Sequence, residues 1–193
     1  MRVVSSASMS EVRTARLLLR PWQDDDLEPF AALNADARVM EHMPAPMSRA
    51  DSDLLAKRIR DHWAERGFGL WAVEVPGVAR FAGFVGLMVP SFDAHFTPCV
   101  EVGWRLAAGH WGKGYATEGA RAALAHGFEV LGLEEIVSMT VLANVRSWHV
   151  MERLGMVRDA AGDFDHPRLP EGHRLRRHIL YRLRRAAGPV AIR

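Results

Sequence analysis

Short apolar segments separated by turn residues predict the strands of this chain. The first is expected over residues 16–22. Three more follow at 70–75, 81–89 and 100–107, and their proline- and glycine-containing separators are typical of consecutive antiparallel strands. Later apolar segments at 135–142, 156–164 and 174–183 predict three further strands, which gives a sheet of about seven.

Helical periodicity and end signals predict about four helices. An aspartate run at 24–26 stands where a helix N-terminus favours negative charge. A serine with an aspartate three residues later resembles a capping box and opens a second helix over 48–66. Apolar residues over 116–131 recur at helical spacing. A short helix over 144–154 ends at Gly155, since glycine favours the left-handed position after a helix.

Composition places few limits on function. A chain of 193 residues with 49% hydrophobic and 25% charged residues is typical of a globular protein. We expect one α+β domain over 13–184, with flexible tails at 1–12 and 185–193. A single cysteine, Cys99, excludes an intramolecular disulfide and fits a reducing compartment. No segment has the length of a signal peptide or membrane span, so the expected location is the cytoplasm.

The segment 110–118 (HWGKGYATE) is the strongest functional signal. A glycine-rich turn here feeds a helix N-terminus, where main-chain N–H groups lack intrahelical acceptors and the helix dipole favours anions. Its spacing matches neither the Lys-Ser/Thr phosphate loop nor the dinucleotide glycine pattern. We expect it to hold a phosphate group; a tight turn that requires positive φ is the alternative.

Four segments, taken in order, resemble the GNAT superfamily of acyl-CoA-dependent N-acetyltransferases, and most of all its ribosomal-protein-alanine N-acetyltransferase-like branch. They are 101–106 (EVGWRL), 111–118 (WGKGYATE), 144–147 (NVRS) and 152–156 (ERLGM). The resemblance covers about residues 14–183. It implies an α+β fold with a mixed, mostly antiparallel central sheet of about seven strands, flanked by about four helices.

The resemblance also implies acetyl-CoA as co-substrate. In the family, the glycine turn binds the pyrophosphate through a pattern that falls here on 111–116, with Trp111 in place of the usual Gln or Arg. Free main-chain groups of the preceding, splayed strand pair with the pantetheine amides. The cofactor-binding residues implied in this way are Trp104, Arg105, Leu106, Trp111, Gly112, Lys113, Gly114, Tyr115, Ala116, Thr117 and Asn144.

Asn144 and Ser147 are implied to lie at the reacting end of this cofactor. Asn144 is also suited to capping the helix it precedes, and the two roles are compatible. Ser147 matches a serine found near the thioester sulfur in this branch, which makes it a candidate catalytic residue. Many relatives have a tyrosine general acid seven residues after the Asn, where this chain has Met151. The acid role then passes to Ser147, to water or to no group.

Glu101 is the candidate general base. An alkylammonium has a pKa of about 10 and must lose a proton before it attacks a thioester, and a carboxylate of raised pKa assists that step. Glu101 lies on the strand leading into the cofactor site and points away from the face of Val100 and Val102; a solvent-facing glutamate is the alternative. Glu118 at the helix start is expected to serve the dipole or a local ion pair.

Together these features predict an acetyl-CoA-dependent N-acetyltransferase that moves an acetyl group to a primary amine by direct attack in a ternary complex. No Ser-His or Cys-His pair indicates a covalent intermediate, and no zinc-ligand spacing occurs among the nine histidines, so no metal is expected. His42 and His149 are candidates to approach the site, with structural or surface roles as the alternative.

The branch resemblance suggests a protein N-terminus as the acceptor. A small amine or amino-acid metabolite is the main alternative, and a non-catalytic acyl-CoA-binding module is another. A net charge of only +2 gives no general attraction to nucleic acid. We expect neither a membrane nor a direct nucleic-acid partner, and a homodimer is left open.

Overall fold

The structure, a computed structural model, describes residues 11–185, which form one eight-stranded sheet with four α-helices. The strands are β1 (Val12–Arg13), β2 (Leu18–Arg20), β3 (Leu70–Val75), β4 (Ala79–Met88), β5 (Glu101–Leu106), β6 (Glu135–Val141), β7 (Val157–Asp165) and β8 (Arg177–Arg184). The helices are α1 (Leu27–Ala35), α2 (Arg49–Arg66), α3 (Tyr115–Ala125) and α4 (Val145–Arg153). The expected tails fall mainly on residues 1–10 and 186–193, outside the described part of the chain, and Val12 already begins β1.

The strand order is β1-β2-β3-β4-β5-β6-β8-β7, antiparallel throughout except where β5 meets β6. The expected mixed, mostly antiparallel sheet with four helices is therefore confirmed. The eighth strand is β1, whose two residues pair with Leu18 and Leu19 of β2. So short a segment has no periodicity of its own, and only its pairing partner makes it a strand.

β5 is well paired on one side and almost unpaired on the other. Six positions join β4 to β5, whereas one parallel position, Glu101 opposite Val137, joins β5 to β6 within residues 11–185. Val137 N donates to Val100 O at 2.9 Å, and Ser138 Oγ donates to Val102 O at 3.0 Å. Beyond Val102 the ladder stops, and the end of β5 lacks a strand on its β6 side.

Several predicted helix ends are confirmed by the local geometry. The Ser48 side chain accepts a hydrogen bond from Asp51 N at the start of α2, and Gly67 closes that helix with a φ of 75°. Gly155, with a φ of 79°, follows α4 as expected. The helix predicted over 116–131 is instead divided, because α3 gives way to a π-helical turn over His126–Val130.

The two faces of the sheet are covered by different helices. Phe84 of β4 lies against Phe30 of α1, with ring centroids 6.0 Å apart. On the opposite face, Val85 faces α3 so closely that a Cβ added at Gly119 would lie 2.9 Å from Val85 Cγ1. Alternation along the strand therefore separates an α1 face from an α3 face.

Asp26 differs from the other two residues of the aspartate run because it is buried. Its carboxylate accepts two hydrogen bonds from Arg20, both at 2.8 Å, and both side chains are 3% exposed. Arg20 also donates to Glu74 at 2.9 Å. The acid thus joins the start of α1 to β2 and β3, and its role is wider than charging a helix end.

Candidate active site

A cleft of about 870 Å³ opens beside the unpaired end of β5. Its volume lies within the usual range for small-molecule sites. Most of the predicted site residues line it: Trp104, Arg105, Leu106, Trp111, Gly112, Gly114, Tyr115, Ala116, Thr117, Asn144 and Ser147. Lys113 and Glu101 are not among the lining residues. The predicted residues are therefore largely brought together, with the proposed base standing apart.

The glycine turn borders this cleft and carries main-chain N–H groups that have no acceptor within the described chain. Gly112 and Gly114 adopt left-handed conformations, with φ of 71° and 82°, which favour glycine. Within the described chain the amides of residues 112–117 have no hydrogen-bond acceptor, and the first helical bond is from Glu118 N to Gly114 O. Free amides at the start of a helix are suited to binding an anion.

Arg16 and Glu118 hold this turn in place. Arg16 Nη1 donates to Lys113 O at 2.8 Å, while Glu118 accepts from Thr14 Oγ1 at 2.6 Å and from Arg16 Nε at 2.7 Å. Burial raises the pKa of Glu118, but the hydrogen bonds from Thr14 and Arg16 leave it below its ordinary value. Glu118 therefore forms an ion pair, but not the local one that the sequence predicts, because its partner lies 102 residues away along the chain.

Trp111 supports the turn through both its nitrogen and its ring. Its Nε1 donates to Leu106 O at 2.8 Å, which pins the turn to the end of β5. The guanidinium carbon of Arg146, on α4, lies 4.4 Å from the Trp111 ring centroid. Trp111, which departs from the family pattern, therefore uses its side-chain N–H for a hydrogen bond within the protein.

The direction of each peptide group decides what β5 offers to the cleft. Ala107 N donates to Ala82 O, and a Cβ placed on Gly83 would meet Arg105 O at 2.1 Å, so the Arg105 peptide groups face β4. Because a strand's peptide groups alternate in direction, those of Trp104 and Leu106 face the gap, as those of Val102 do. Arg105 contributes its side chain to the cleft instead.

Glu101 lies on the α1 face of β5, partly exposed, with Met139 N–H donating to its carboxylate. Burial raises the pKa of Glu101 to about 7, and the hydrogen bond from Met139 opposes that shift. A carboxyl with this pKa exchanges a proton near neutral pH, which is the property a general base requires.

On α4, the side chains of Asn144, Ser147 and Met151 have three different environments. Asn144 makes no side-chain cap; its Nδ2 donates to Thr140 Oγ1 at 3.0 Å, so the capping role is not observed. Ser147 faces the cleft. Met151 is 1% exposed and belongs to the hydrophobic core, so the position of the usual tyrosine serves packing in this chain.

Six arginines line the cleft, and of these only Arg105 is among the predicted site residues. The lining arginines are Arg16, Arg38, Arg105, Arg121, Arg146 and Arg153, against one carboxylate, Glu118. His42 and His149 reach the cleft as expected, and His110 joins them. Burial lowers the pKa of His42 and of His110. Arg121 lies on α3 after the glycine turn, and Arg153 lies on α4 after Asn144, so helical spacing can predict that both approach the site. Arg16 is far from both segments in sequence, and no spacing predicts its position.

Residues 11–185 contain neither a metal-binding cluster nor a helix that could span a membrane. No group of three or more His, Cys, Asp or Glu side chains is arranged to hold a metal ion. Within the same residues, no helix combines the length and the apolar character needed to cross a bilayer.

Known proteins are similar to this chain in sequence and in fold. The acetyltransferase (GNAT) domain family matches residues 16–157. The FsC-acetyl coenzyme A-N(2)-transacetylase of Aspergillus fumigatus is 30% identical over 152 residues, covering 75% of this chain and 64% of that protein. The spermidine N(1)-acetyltransferase of Escherichia coli K12 is 31% identical over 140 residues, covering 71% and 70%. A GNAT-family acetyltransferase structure from Bacillus anthracis superposes with a TM-score of 0.74 at 26% identity, covering 91% and 98%.

The finer branch resemblance has weaker support. A ribosomal-protein-S5-alanine acetyltransferase structure from Vibrio fischeri superposes with a TM-score of 0.71, covering 91% of this chain and 96% of that one, but at 15% identity it bears on the fold alone. The evidence for family membership is the domain match over residues 16–157 and the relatives of 30% and 31% sequence identity. The chain therefore belongs to the GNAT acetyltransferase family and is an acetyl-CoA-dependent N-acetyltransferase.

Proposed function

We propose that this N-acetyltransferase transfers the acetyl group of acetyl-CoA directly to a primary amine, with both substrates bound together. The observation that carries the proposal is the row of six unpaired amides at 112–117 beside a strand end that has lost its neighbour. One feature suits a diphosphate and the other suits an extended chain with amide groups. Pantetheine diphosphate combines the two.

The residues present fit acetyl-CoA along the whole cleft. The diphosphate is assigned to the amides of 112–117, where the helix dipole adds to the attraction. Arg121 and Arg153, which have no carboxylate partner among the described residues, stand beside this end and are suited to phosphate oxygens. The free peptide groups of Trp104, with the Leu106 N–H, are assigned to the pantetheine amides, as a strand is added to a sheet edge. Asn144 borders the same channel.

Glu101 is assigned the role of general base. The amine nitrogen attacks the thioester carbonyl, the new N–C bond forms, the C–S bond breaks, and the ammonium proton passes to Glu101, directly or through water. Its pKa of about 7 supports this role, because the carboxyl is ionised in half or more of the molecules at neutral pH and still basic enough to accept a proton. CoA leaves as a thiolate or, after protonation, as a thiol.

Ser147 is the candidate for that last protonation. Its position on the cleft supports the assignment, and Met151, whose buried thioether carries no transferable proton, does not compete for it. A thiolate is a good leaving group at neutral pH, so the Ser147 contribution is expected to be small. Water can replace it.

The proposal includes two classes of acceptor, a protein N-terminus and a small amine. The branch resemblance favours the first. The curated relatives with named activities, one acting on spermidine and one named as an FsC N(2)-transacetylase, favour the second.

The test combines CoA binding with turnover. Isothermal titration should give saturable binding of CoA to the wild-type chain, and free-thiol release from acetyl-CoA should appear with at least one member of an amine and peptide panel. Binding without thiol release, across the whole panel, would leave an acyl-CoA-binding module instead of an enzyme. No binding at all would remove both functions.

A further inference from the structure

Arg105 is a partly buried residue whose guanidinium makes only neutral contacts within residues 11–185. Its Nη1 donates to Asn34 Oδ1 at 2.7 Å, Nη2 lies 3.5 Å from Met43 Sδ, and the guanidinium carbon is 5.4 Å from the Phe84 ring centroid. No carboxylate lies within ion-pair distance of it among residues 11–185. Burial lowers the pKa of Arg105 to about 10, so the side chain remains charged at neutral pH.

Arg20 shows how this chain treats a buried arginine that serves structure alone. It is 3% exposed and bonded to two carboxylates, Asp26 and Glu74. Burying a charge without a counter-ion is costly. An arginine held by an amide and a thioether, on the wall of an open cleft, keeps its charge available for an anionic ligand.

The surroundings hold Arg105 in one orientation. Asn34 Nδ2 donates to Ser52 Oγ at 2.9 Å, and both of these side chains are fully buried. With its Nδ2 engaged in this way, the Asn34 side chain presents its oxygen to Arg105. Such support from behind is the arrangement that preorganises a binding residue.

Arg105 stands on a different face of the sheet from the turn that is assigned to the cofactor phosphates. Its strand position is paired with Phe84, on the α1 face, whereas Arg121, whose Nη2 donates to Arg153 O at 3.5 Å, belongs to α3 on the other face. Of the other cleft arginines, Arg16, Arg38 and Arg146 each have a carboxylate partner. Arg153 belongs to α4, so among the cleft arginines that lack a carboxylate partner within residues 11–185, Arg105 is the one that lies on the α1 face of β5.

The same face connects Arg105 to the proposed base. Glu101, Gly103 and Arg105 alternate onto the α1 face of β5, and a Cβ at Gly103 would have no atom within 4 Å. The Cα atoms of Glu101 and Arg105 are separated by about 13 Å along the strand. The surface over Gly103 is therefore open, and it lies between the Glu101 carboxylate, which suits an amine, and the Arg105 guanidinium, which suits an anion.

We propose that Arg105 binds a carboxylate of the acceptor, so that the substrate is a small amine that also carries a carboxylate at some distance from its nitrogen. This inference rests on the proposed acetyl transfer to an amine. A polyamine carries no anion to pair with Arg105, and arginines dominate the charge of the cleft lining, so a polycation fits this chain poorly.

The test uses matched acids and amides as acceptors. The acids are glycine, β-alanine, 4-aminobutyrate and 6-aminohexanoate, each compared with its primary carboxamide and with spermidine, by thiol release from acetyl-CoA. We expect at least one acid, among the longer members, to exceed its amide in kcat/KM by about 10- to 100-fold, since a charge-assisted pair is lost in the amide. An amide that performs as well as its acid throughout, or spermidine as the best acceptor, would overturn the inference.

Variants assign the effect to one side chain. Arg105→Gln should abolish the preference for the acid through a raised acceptor KM, and Arg105→Lys should restore part of it. CoA affinity, measured by titration, should stay within about twofold of wild type for both. Arg49→Gln, an exposed arginine of α2 outside the cleft, is the matched control and should behave as wild type. A loss of CoA affinity in Arg105→Gln would assign Arg105 to a cofactor phosphate and refute the proposal.

A binding measurement separates this inference from the proposed function. The longest acid and its amide are titrated into the wild type and Arg105→Gln, each saturated with CoA. If no amine is acetylated but the acid still binds in an Arg105-dependent way, the transfer function fails and the anion subsite stands. If amines are acetylated with no difference between acid and amide, the subsite fails and the transfer function stands. Absence of acid binding to the wild type would also overturn the subsite.

Discussion

The guanidinium of Arg146 lies over the indole ring of Trp111, 4.4 Å from its centroid. One residue belongs to α4 and the other to the turn before α3, so the contact joins the two sides of the cleft. Arg146 also donates to Glu41 at 3.1 Å, which brings the segment between α1 and α2 into the same cluster. Three segments distant in sequence are thereby held at fixed separation around the proposed cofactor site.

Replacing Trp111 should weaken cofactor binding in two separable steps. Trp111→Phe keeps a ring beneath Arg146 but removes the donor to Leu106 O, and we expect CoA affinity to fall severalfold, for a loss of about 1 kcal/mol. Trp111→Ala removes the ring as well and should cost about 1 kcal/mol more. Isothermal titration of both variants checks the order. Equal affinities for the two variants would show that the Arg146 contact plays no part.

Glu101→Gln should change the pH dependence of turnover. The base must be ionised, so wild-type kcat/KM should rise with pH through about 7, the raised pKa of this carboxyl. Glu101→Gln should lose that limb and about 100-fold of the rate. Profiles between about pH 6 and pH 9, with a long-chain amine of constant protonation over this range, measure it. An unchanged profile would refute the assignment.

The same substitution should stabilise the folded chain at alkaline pH. Because burial raises the folded-state pKa from 4.5 to about 7, ionisation is penalised in the folded state, and stability is lost as the pH rises between these values. Partial exposure of the side chain reduces the effect, and we expect Glu101→Gln to gain about 1 to 2 kcal/mol near pH 8. The gain should vanish below about pH 4.5. Urea denaturation at the two pH values checks the sign, and a destabilised variant at pH 8 would contradict it.

Gly114→Ala should impair CoA binding through the backbone. A left-handed alanine costs about 1 to 2 kcal/mol, and its Cβ would lie 3.2 Å from Arg16 Nη2, the group that holds the turn. Gly67→Ala provides a control, because Gly67 has a similar φ of 75° at the end of α2 and open space around it. Both variants should lower the melting temperature, and only Gly114→Ala should lower CoA affinity. Equal affinities would mean that the turn adapts without loss.

Asp26→Asn should destabilise the fold with little direct effect on the site. It removes one carboxylate from the buried Arg20 pair, and leaving a buried charge less well compensated costs about 3 kcal/mol. Asp25→Asn is the matched control, since Asp25 is exposed and should change stability by less than about 0.5 kcal/mol. Denaturant unfolding of the two variants measures the difference. Similar stabilities would show that Glu74 alone compensates Arg20.

Local chemistry explains which parts of the structure could be predicted from sequence. The caps at Ser48, Gly67 and Gly155 depend on residues within a few positions of the helix end, so their patterns predicted the helix boundaries. The left-handed turn at Gly112 and Gly114 is a local signal of the same kind. The strand positions followed from apolar runs bounded by turn residues.

Features that depend on distant partners escaped prediction. Asn144 is suited by sequence to capping α4, but its side chain makes no cap hydrogen bond, and its Nδ2 donates to Thr140 Oγ1 at the end of β6. Arg16 holds the glycine turn from 97 residues away, which no periodicity reveals. Arg105 is predicted to offer main-chain groups to the cofactor, but the pairing of β5 with β4 turns its peptide groups away from the cleft. Its side chain contacts Asn34 of α1 and Met43 of the following loop, which are neutral.

The single rung between Glu101 and Val137 has a consequence for cooperativity. It divides the sheet into a five-stranded block and a three-stranded block whose direct backbone link is minimal within the described chain. A ligand lying in the gap would supply the missing cross-links, so its binding energy adds to the coupling between the blocks. Amide exchange in β6 and β8 should slow on ligation more than exchange in β3, which makes the co-substrate a structural member of the sheet it occupies.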